Sequence, residues 1–193
     1  MWVNLVFYKG KKYIFILQFR FLDDDFDLLK LATITVENFF QCVQLSDGSV
    51  IKLRLLDTAG QERFNCINES YYKQADCCLL VYDITNKDSF EGVKNYYVPK
   101  IKEYCNQILK VVLLGNKADL EDQRQVEDIE GRDLALENGY IFMESSCADN
   151  YNVSDAFTTL VEMTNIELKK GNRTQNIKIK KDIKKNKKKN KCC

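Results

Sequence analysis

Short apolar runs that end in polar residues recur along the chain, and they constrain its fold more than any other feature. The runs are DCCLLVYDI at 76–84, KVVLLGN at 110–116 and YIFMESS at 140–146. Runs of this length are typical of strands buried on both faces of a parallel sheet. Segments with helical spacing lie between and after them, at 87–105, 126–138 and 152–169. This alternation predicts an α/β fold, with a mostly parallel, doubly wound sheet and helices on both faces.

A β-hairpin is predicted at 42–56, ahead of these runs. The strands CVQL and VIKLRLL flank SDGS, and Asp-Gly between two such runs is a strong hairpin signal. Asp57 ends the second hairpin strand, as Asn116 ends KVVLLGN. Because ligands of parallel α/β sheets bind at the carboxyl ends of the strands, we expect Asp57 and Asn116 to belong to one site.

The length of 193 residues and the hydrophobic content of 45% indicate one domain with a tail. Twelve of the 29 basic residues lie in 169–193, but only one of the 28 acidic residues does. An acidic body with a basic tail predicts an electrostatic contact with an anionic surface. The Lys- and Asn-rich segment 171–193 is expected to be disordered in solution.

Cysteine usage and the apolar start of the sequence exclude several classes. The chain has eight cysteines but no histidine and no CxxC pair, so a zinc site is not expected. The spacing favours buried free thiols in a reducing compartment. Lysines interrupt the stretch MWVNLVFYKGKKYIFILQF early, which argues against a membrane-spanning helix and against a signal peptide.

The string LDTAGQERF at 55–63 carries residue types that suit a phosphate and magnesium site. The Asp57 carboxylate can hold magnesium through water. A backbone N–H at Gly60 can approach a terminal phosphate, and Gln61 can orient an attacking water. Taken alone, the pattern fits a plain turn after a strand equally well.

The string GNKAD at 115–119 suits a guanine ring. Asn116 can meet the acceptor edge of the base, and the Lys117 stem can lie over it. Asp119 can accept from two neighbouring N–H groups, which adenine lacks. A polar loop is the alternative for this string alone. Its coincidence with DTAGQ and with ESSCA at 144–148, each after an apolar strand, favours a nucleotide site.

From about residue 20 to residue 170 the chain resembles a Rab-type small GTPase of the Ras superfamily. The resemblance rests on RFLDDDF, LDTAGQERF, SYYKQAD, LVYDITNKDSF, LLGNKADL and ESSCADNYNV. It implies a molecular switch of membrane traffic that hydrolyses GTP to GDP with Mg²⁺. The catalytic residue that it implies is Gln61. The implied magnesium ligands are Thr33 and Asp57. The implied nucleotide contacts are Thr33, Asp57, Gly60, Asn116, Lys117, Asp119, Ser146 and Cys147.

One expected part is missing from this pattern. The family places G-x-x-x-x-G-K-[ST] before RFLDDDF, where residues 8–15 read YKGKKYIF, and residues 1–32 contain no serine or threonine. Three explanations stand open: a gene model with a replaced first exon, a nucleotide-poor binding module, and a working GTPase with KGKK as its cradle. Residues 1–19 are a divergent segment, so the first strand and the phosphate loop of the family are divergent or missing. At 12–19 composition favours a strand and family register a helix.

Smaller departures concern the switch and base loops. ATITV at 32–36 resembles the first switch segment, but Thr35 stands where the family has glycine. Asn38 stands where it has an aromatic residue, unless Asn38 is an insertion and Phe39 takes that role. Ala148 replaces the usual lysine of the third base motif. Effector binding through 32–36 is therefore left open.

The basic tail ends in Cys192 and Cys193. By resemblance each is expected to carry a geranylgeranyl group, and two lipid chains with nearby lysines give stable anchoring to an anionic membrane. This favours the membrane over nucleic acid as partner. The expected location is the cytoplasmic face of an intracellular membrane, in exchange with the cytosol. The implied partners are effectors, an exchange factor, a GTPase-activating protein, and prenylation and GDI-type chaperones.

Two functions from different classes follow. The first is a prenylated Rab-like GTPase with its domain at 20–170. The second is a Rab-shaped binding module without GTPase turnover, which the missing cradle at 8–15 motivates.

Overall fold

The structure is a computed structural model that describes residues 2–8, 21, 38–57, 75–105 and 109–170. Of residues 2–8, 38–39 and 56–57 it describes the backbone alone. The expectations for the switch segment at 32–36 and the tail at 171–193 lie outside the described residues.

Six strands form one sheet in the order β2-β3-β1-β4-β5-β6. The pairs β1–β3, β1–β4, β4–β5 and β5–β6 are parallel, and β2 is antiparallel to β3. The mostly parallel sheet predicted from the apolar runs is therefore confirmed. The strands are β1 (Trp2–Tyr8), β2 (Asn38–Gln44), β3 (Val50–Asp57), β4 (Cys77–Asp83), β5 (Lys110–Asn116) and β6 (Ile141–Ser145).

Strand β1 is the main addition to what the sequence predicted. The pattern left the first strand as divergent or missing, but Trp2–Tyr8 is a strand of the sheet interior, between β3 and β4. Its register sets Phe7 beside Asp57 and Tyr8 beside Leu80. An apolar run such as WVNLVFY suits a strand with neighbours on both sides. Residues 12–19, for which a strand and a helix were both left open, lie outside the described residues.

The predicted hairpin is confirmed, with β2 beginning four residues earlier than expected. Its turn is closed by the Leu45 N–H, which donates to Ser49 O at 2.8 Å, and by the Gly48 N–H, which donates to Leu45 O at 2.9 Å. Gly48 has φ +77°, a left-handed conformation that glycine adopts without steric cost. Asp-Gly therefore specifies the turn, as the sequence indicated.

The first predicted helix is interrupted by a wider turn. Spacing predicted one helix over 87–105, whereas a π-helical turn at Val93–Tyr97 separates α1 (Lys87–Gly92) from α2 (Val98–Tyr104). Pro99, in the first turn of α2, has no N–H and its ring crowds the carbonyl one turn earlier. The wider turn accommodates this residue.

The other two predicted helices are confirmed. Helix α3 (Asp128–Asn138) begins two residues later than expected, because Glu127 caps it and exchanges hydrogen bonds with Glu130. It stops at Gly139, which has φ +67°. Helix α4 spans 153–170, in agreement with the predicted 152–169. A 3₁₀ turn, Ala118–Gln123, follows β5.

Alternate residues of the central strands point to opposite faces, so the sheet has a core on each side. One face of β4 packs with α4, where the Phe157 ring stacks on Phe21 with centroids 4.0 Å apart. The other face packs with α1, α2 and α3 around Tyr82 and Phe90. Strands β4 and β5 are thus apolar throughout because both of their faces are buried.

Within the described ranges the cysteines form no disulfide: Cys77, Cys78 and Cys147 are buried, Cys105 is half-buried and Cys42 is exposed. The prediction of buried thiols outside disulfides is thus confirmed for three of them. In the described part of the chain, no helix combines the length and the apolar character needed to cross a membrane.

Candidate guanine nucleotide site

The carboxyl ends of the parallel strands bring the predicted polar residues together at one edge of the sheet. Register sets Asp83, Asn116 and Ser145 side by side at the ends of β4, β5 and β6. Asp57 ends β3 beside Phe7 of β1 at the same edge. The arrangement matches the place where α/β sheets bind ligands.

Asn116 is almost fully buried, with 2% of its surface exposed. Its Oδ1 atom accepts from the Ser145 hydroxyl at 3.3 Å and from the Cys147 thiol at 3.5 Å. Its backbone carbonyl accepts from the Ile84 N–H at 3.0 Å. Both the side chain and the backbone of Asn116 are therefore held by contacts within the protein.

Lys117 directly follows β5 and turns the chain out of the sheet. Its backbone is left-handed, with φ 72° and ψ 37°, a region that non-glycine residues seldom occupy. The Lys117 ammonium lies 2.8 Å from Oδ2 of Asp83. The sequence predicted a lysine stem over the base, and the structure adds a partner for its charged end.

Asp83 is a site residue that the sequence reasoning missed. It is 1% exposed, and its Oδ1 atom accepts from the backbone N–H and the hydroxyl of Thr85 at 2.9 and 2.7 Å. Its Oδ2 atom faces Lys117. A buried carboxylate is tolerated when it is paired and hydrogen-bonded in this way. The available signal was its position as the acid that ends the run LLVYD.

Asp119 stands where a base could reach it. It lies in the 3₁₀ turn after Lys117 and is exposed. The turn is closed by the Leu120 N–H, which donates to Lys117 O at 2.9 Å. From Asn116 to Asp119 the loop thus passes from a buried amide to an accessible carboxylate, the pair of groups predicted for a guanine ring.

The segment after β6 forms a second loop against the first. Ser146 and Cys147 are buried, at 1% and 4% exposure. Ser146 and Tyr151 exchange backbone hydrogen bonds of 3.0 and 2.9 Å, and the Ser146 hydroxyl accepts from the Asp149 N–H at 3.0 Å. Through the thiol of Cys147 this loop contacts Asn116 directly. The two segments that carry the predicted base motifs therefore meet in space.

A partly buried arginine, which no sequence pattern indicated, joins the end of the 3₁₀ turn to β6. The Arg124 guanidinium donates to both carboxylate oxygens of Glu144 at 2.8 and 2.9 Å. It also donates to both oxygens of Glu121 and to the Val126 carbonyl. Hydrogen bonds with Glu144 and then Glu121 raise the pKa of Arg124, so its positive charge is permanent. A bidentate ion pair thus joins the segment after the 3₁₀ turn to β6.

The phosphate half of the predicted site is not described in the same detail. Thr33, Gly60 and Gln61 lie outside the described residues, as do Cys192 and Cys193, and only the backbone of Asp57 is described. Within the described ranges, no group of three or more acidic, cysteine or histidine residues could hold a metal ion. Only the half of the site that would hold the base is described with its side chains. Its exposed Asp119 carboxylate and buried Asn116 amide fit a guanine ring.

Comparison with known proteins supports the same conclusion over most of the chain. The model of the Ras family matches residues 10–166. The bovine "Ras-related protein Rab-8A" is 44% identical over 142 residues, which cover 74% of this chain and 68% of that relative. The human "Ras-related protein Rab-8B" is 42% identical over 144 residues, which cover 75% and 69%.

Of the two functions that the sequence suggested, these similarities favour the GTPase over the binding module without turnover. They also agree with the parallel sheet and with the two base loops at its carboxyl edge. Ras and Rab proteins bind guanine nucleotide with Mg²⁺. The chain therefore belongs to the Rab group of the Ras family, the small GTPases that act as switches in intracellular membrane traffic.

Proposed function

We propose that this chain binds GDP and GTP with the base held by Asn116, Lys117, Asp119, Ser146 and Cys147. The observation that carries the proposal is the buried Asn116 amide, which is held by donors from β6 and from the loop that follows it. A preformed site of this kind loses little conformational freedom on binding, so base recognition needs no rearrangement of the described residues.

The base contacts predict guanine over adenine. The Asp119 carboxylate accepts from two N–H groups of guanine, and adenine would leave it without donors. In an Asp119→Asn variant the amide that replaces the carboxylate could instead donate to a carbonyl oxygen, which xanthine has at that position. We expect the variant to shift its preference from guanine toward xanthine nucleotides.

Competition against a fluorescent nucleotide measures this shift. Asp122→Asn is a matched control, because Asp122 is another exposed aspartate of the same 3₁₀ turn. The control should keep the wild-type ratio of GDP to XDP affinity. An unchanged ratio in the Asp119 variant would refute the assignment of this residue to the base.

The phosphates and the magnesium ion would lie beside the ends of β1 and β3. We propose that Asp57 and Thr33 hold Mg²⁺, that Gly60 contacts the γ-phosphate and that Gln61 orients the water for hydrolysis. Support comes from the register that ends β1 beside Asp57, so the lysine-rich sequence at 9–12 follows a strand of the site edge.

Guanosine and GDP distinguish the two halves of the site. A chain that binds the phosphates should bind GDP far more tightly than guanosine. Equal affinities would show that only the base is bound, which is the result expected for a Rab-shaped module without turnover. Single-turnover hydrolysis of GTP by the wild type and by a Gln61→Leu variant then tests the catalytic assignment.

We also propose that the basic tail places the protein on a membrane. Cys192 and Cys193 would carry prenyl groups, and the lysines of 169–191 would contact anionic lipid. Effectors, an exchange factor, a GTPase-activating protein and a GDI-type chaperone would be its partners. Sedimentation of the prenylated protein with phosphatidylserine vesicles should be lost when both cysteines are changed to serine.

A further inference from the structure

We propose that Asp83 is a positioning residue, which acts on the nucleotide through Lys117. This inference rests on the proposed guanine nucleotide site. The observation is the ion pair between Asp83 Oδ2 and the Lys117 ammonium, which lie 2.8 Å apart. Asp83 itself is only 1% exposed.

The two oxygens of Asp83 have separate partners. Oδ1 accepts from the backbone N–H and the hydroxyl of Thr85, which fixes the rotamer of the carboxylate. Oδ2 is thereby directed to Lys117. A carboxylate that only stabilised its own turn would need Oδ1 alone, since Thr85 lies two residues further along the chain. The second oxygen joins β4 to the residue after β5.

Lys117 needs such support because of its backbone conformation. A left-handed lysine is unfavourable and persists where its surroundings determine it. The Leu120 N–H bonds to the Lys117 carbonyl, but this contact does not constrain the side chain. The ion pair with Asp83 fixes the ammonium end and so restrains the methylene stem that carries it.

The consequence for the ligand is specific. Loss of Asp83 should release the Lys117 stem and so speed the dissociation of every nucleotide that stacks against it. It should leave the ratio of guanine to xanthine affinity unchanged, because Asp119 sets that ratio. A residue with a purely structural role would alter stability and dissociation whether or not Lys117 is present.

A double-mutant cycle on the full chain separates these cases, with Asp83→Asn, Lys117→Met and the double variant. We measure the dissociation rate of a fluorescent GDP and the GDP to XDP ratio. Each single variant should release GDP about tenfold faster, the loss expected for one charged hydrogen bond. The double variant should be no faster than Lys117→Met. Asp88→Asn is the control, since it removes an exposed carboxylate of α1 and leaves the Asp83–Lys117 pair in place, and this variant should release GDP at the wild-type rate.

Additive effects in the double variant would overturn the positioning role and leave the proposed nucleotide site intact. Wild-type protein that binds no GDP would overturn both. If Asp83→Asn does not fold, a second experiment on the wild-type protein replaces the double-mutant cycle. An acylating lysine reagent is added, and mass spectrometry measures how fast each lysine reacts. Lys117 should then react more slowly than the exposed Lys102, and more rapidly at high salt, where ion pairs are screened. Equal reaction rates would overturn the proposal.

Discussion

The bidentate pair between Arg124 and Glu144 gives the sharpest prediction about stability near the site. An Arg124→Met variant keeps an apolar stem of similar length and removes the guanidinium. The Glu144 carboxylate then loses its two donors at 2.8 and 2.9 Å. The Glu144 side chain is 18% exposed. The substitution also removes the donor of 2.9 Å to the Val126 carbonyl.

The size of the effect follows from these contacts. A fully buried ion pair costs about 3–5 kcal/mol when one partner is removed, because the other charge is left unpaired. Glu144 is partly solvated, so we expect the lower end of that range, about 3 kcal/mol of unfolding free energy. For a chain of this length that corresponds to a fall in Tm of about 6–12 °C. The exposed partner Glu121 should contribute little, since surface ion pairs are weak.

Thermal and urea denaturation of the nucleotide-free protein measure this prediction. Arg132→Met is the matched control, because Arg132 forms an exposed ion pair with Asp128 on the neighbouring helix. It should lower the Tm far less. Adding Glu144→Gln to Arg124→Met should recover part of the loss, because an amide can remain unpaired at lower cost than a carboxylate. If Arg124→Met lowered the Tm no more than Arg132→Met does, this reasoning would be refuted.

Three further predictions concern the core and the pH dependence. Within the described part of the chain the buried Tyr82 hydroxyl has no hydrogen-bond partner, so Tyr82→Phe should leave the stability unchanged or raise it by about 1 kcal/mol in urea denaturation. Gly131→Ala would set a Cβ 2.4 Å from the Phe142 ring and 2.5 Å from that hydroxyl, and should lower the stability by about 1–3 kcal/mol, less in the Tyr82→Phe background. Burial raises the pKa of the Cys105 thiol from 9.0 to about 11. The unfolded chain then loses this proton first, so the unfolding free energy should fall between about pH 9 and pH 11, with a smaller slope in a Cys105→Ala variant.

Local sequence signals predicted those parts of the fold that depend on neighbouring residues. Asp-Gly specified the hairpin because Gly48 must be left-handed in its turn. Apolar runs specified β4 and β5 because both of their faces are covered. The same reasoning failed for β1, because an apolar run near lysines can be a strand, a helix or a membrane segment by composition alone. The position of β1 between β3 and β4 depends on pairing with strands that are distant in sequence, which the run itself does not encode.

The site shows the same division. Asn116 and Cys147 were predicted from two motifs, and the structure brings them together at 3.5 Å. Asp83 and Arg124 were missed, because each acts through a partner that is distant in sequence or on another element. No local pattern distinguishes an acid that ends a strand and pairs with a lysine from one that faces water. Such residues become visible only when the register of the strands is known.

These contacts also determine where the affinity of the site must come from. The Asn116 amide, the Lys117 ammonium and the Arg124 guanidinium are held by the protein itself. Because these contacts are internal to the protein, binding of the base should cost little conformational entropy. Any affinity for GDP beyond that for guanosine must then come from contacts with the phosphates, which we propose to lie beside the ends of β1 and β3. The ratio of GDP to guanosine affinity thus measures the whole phosphate half of a GTPase that has KGKK in place of the usual glycine-rich loop.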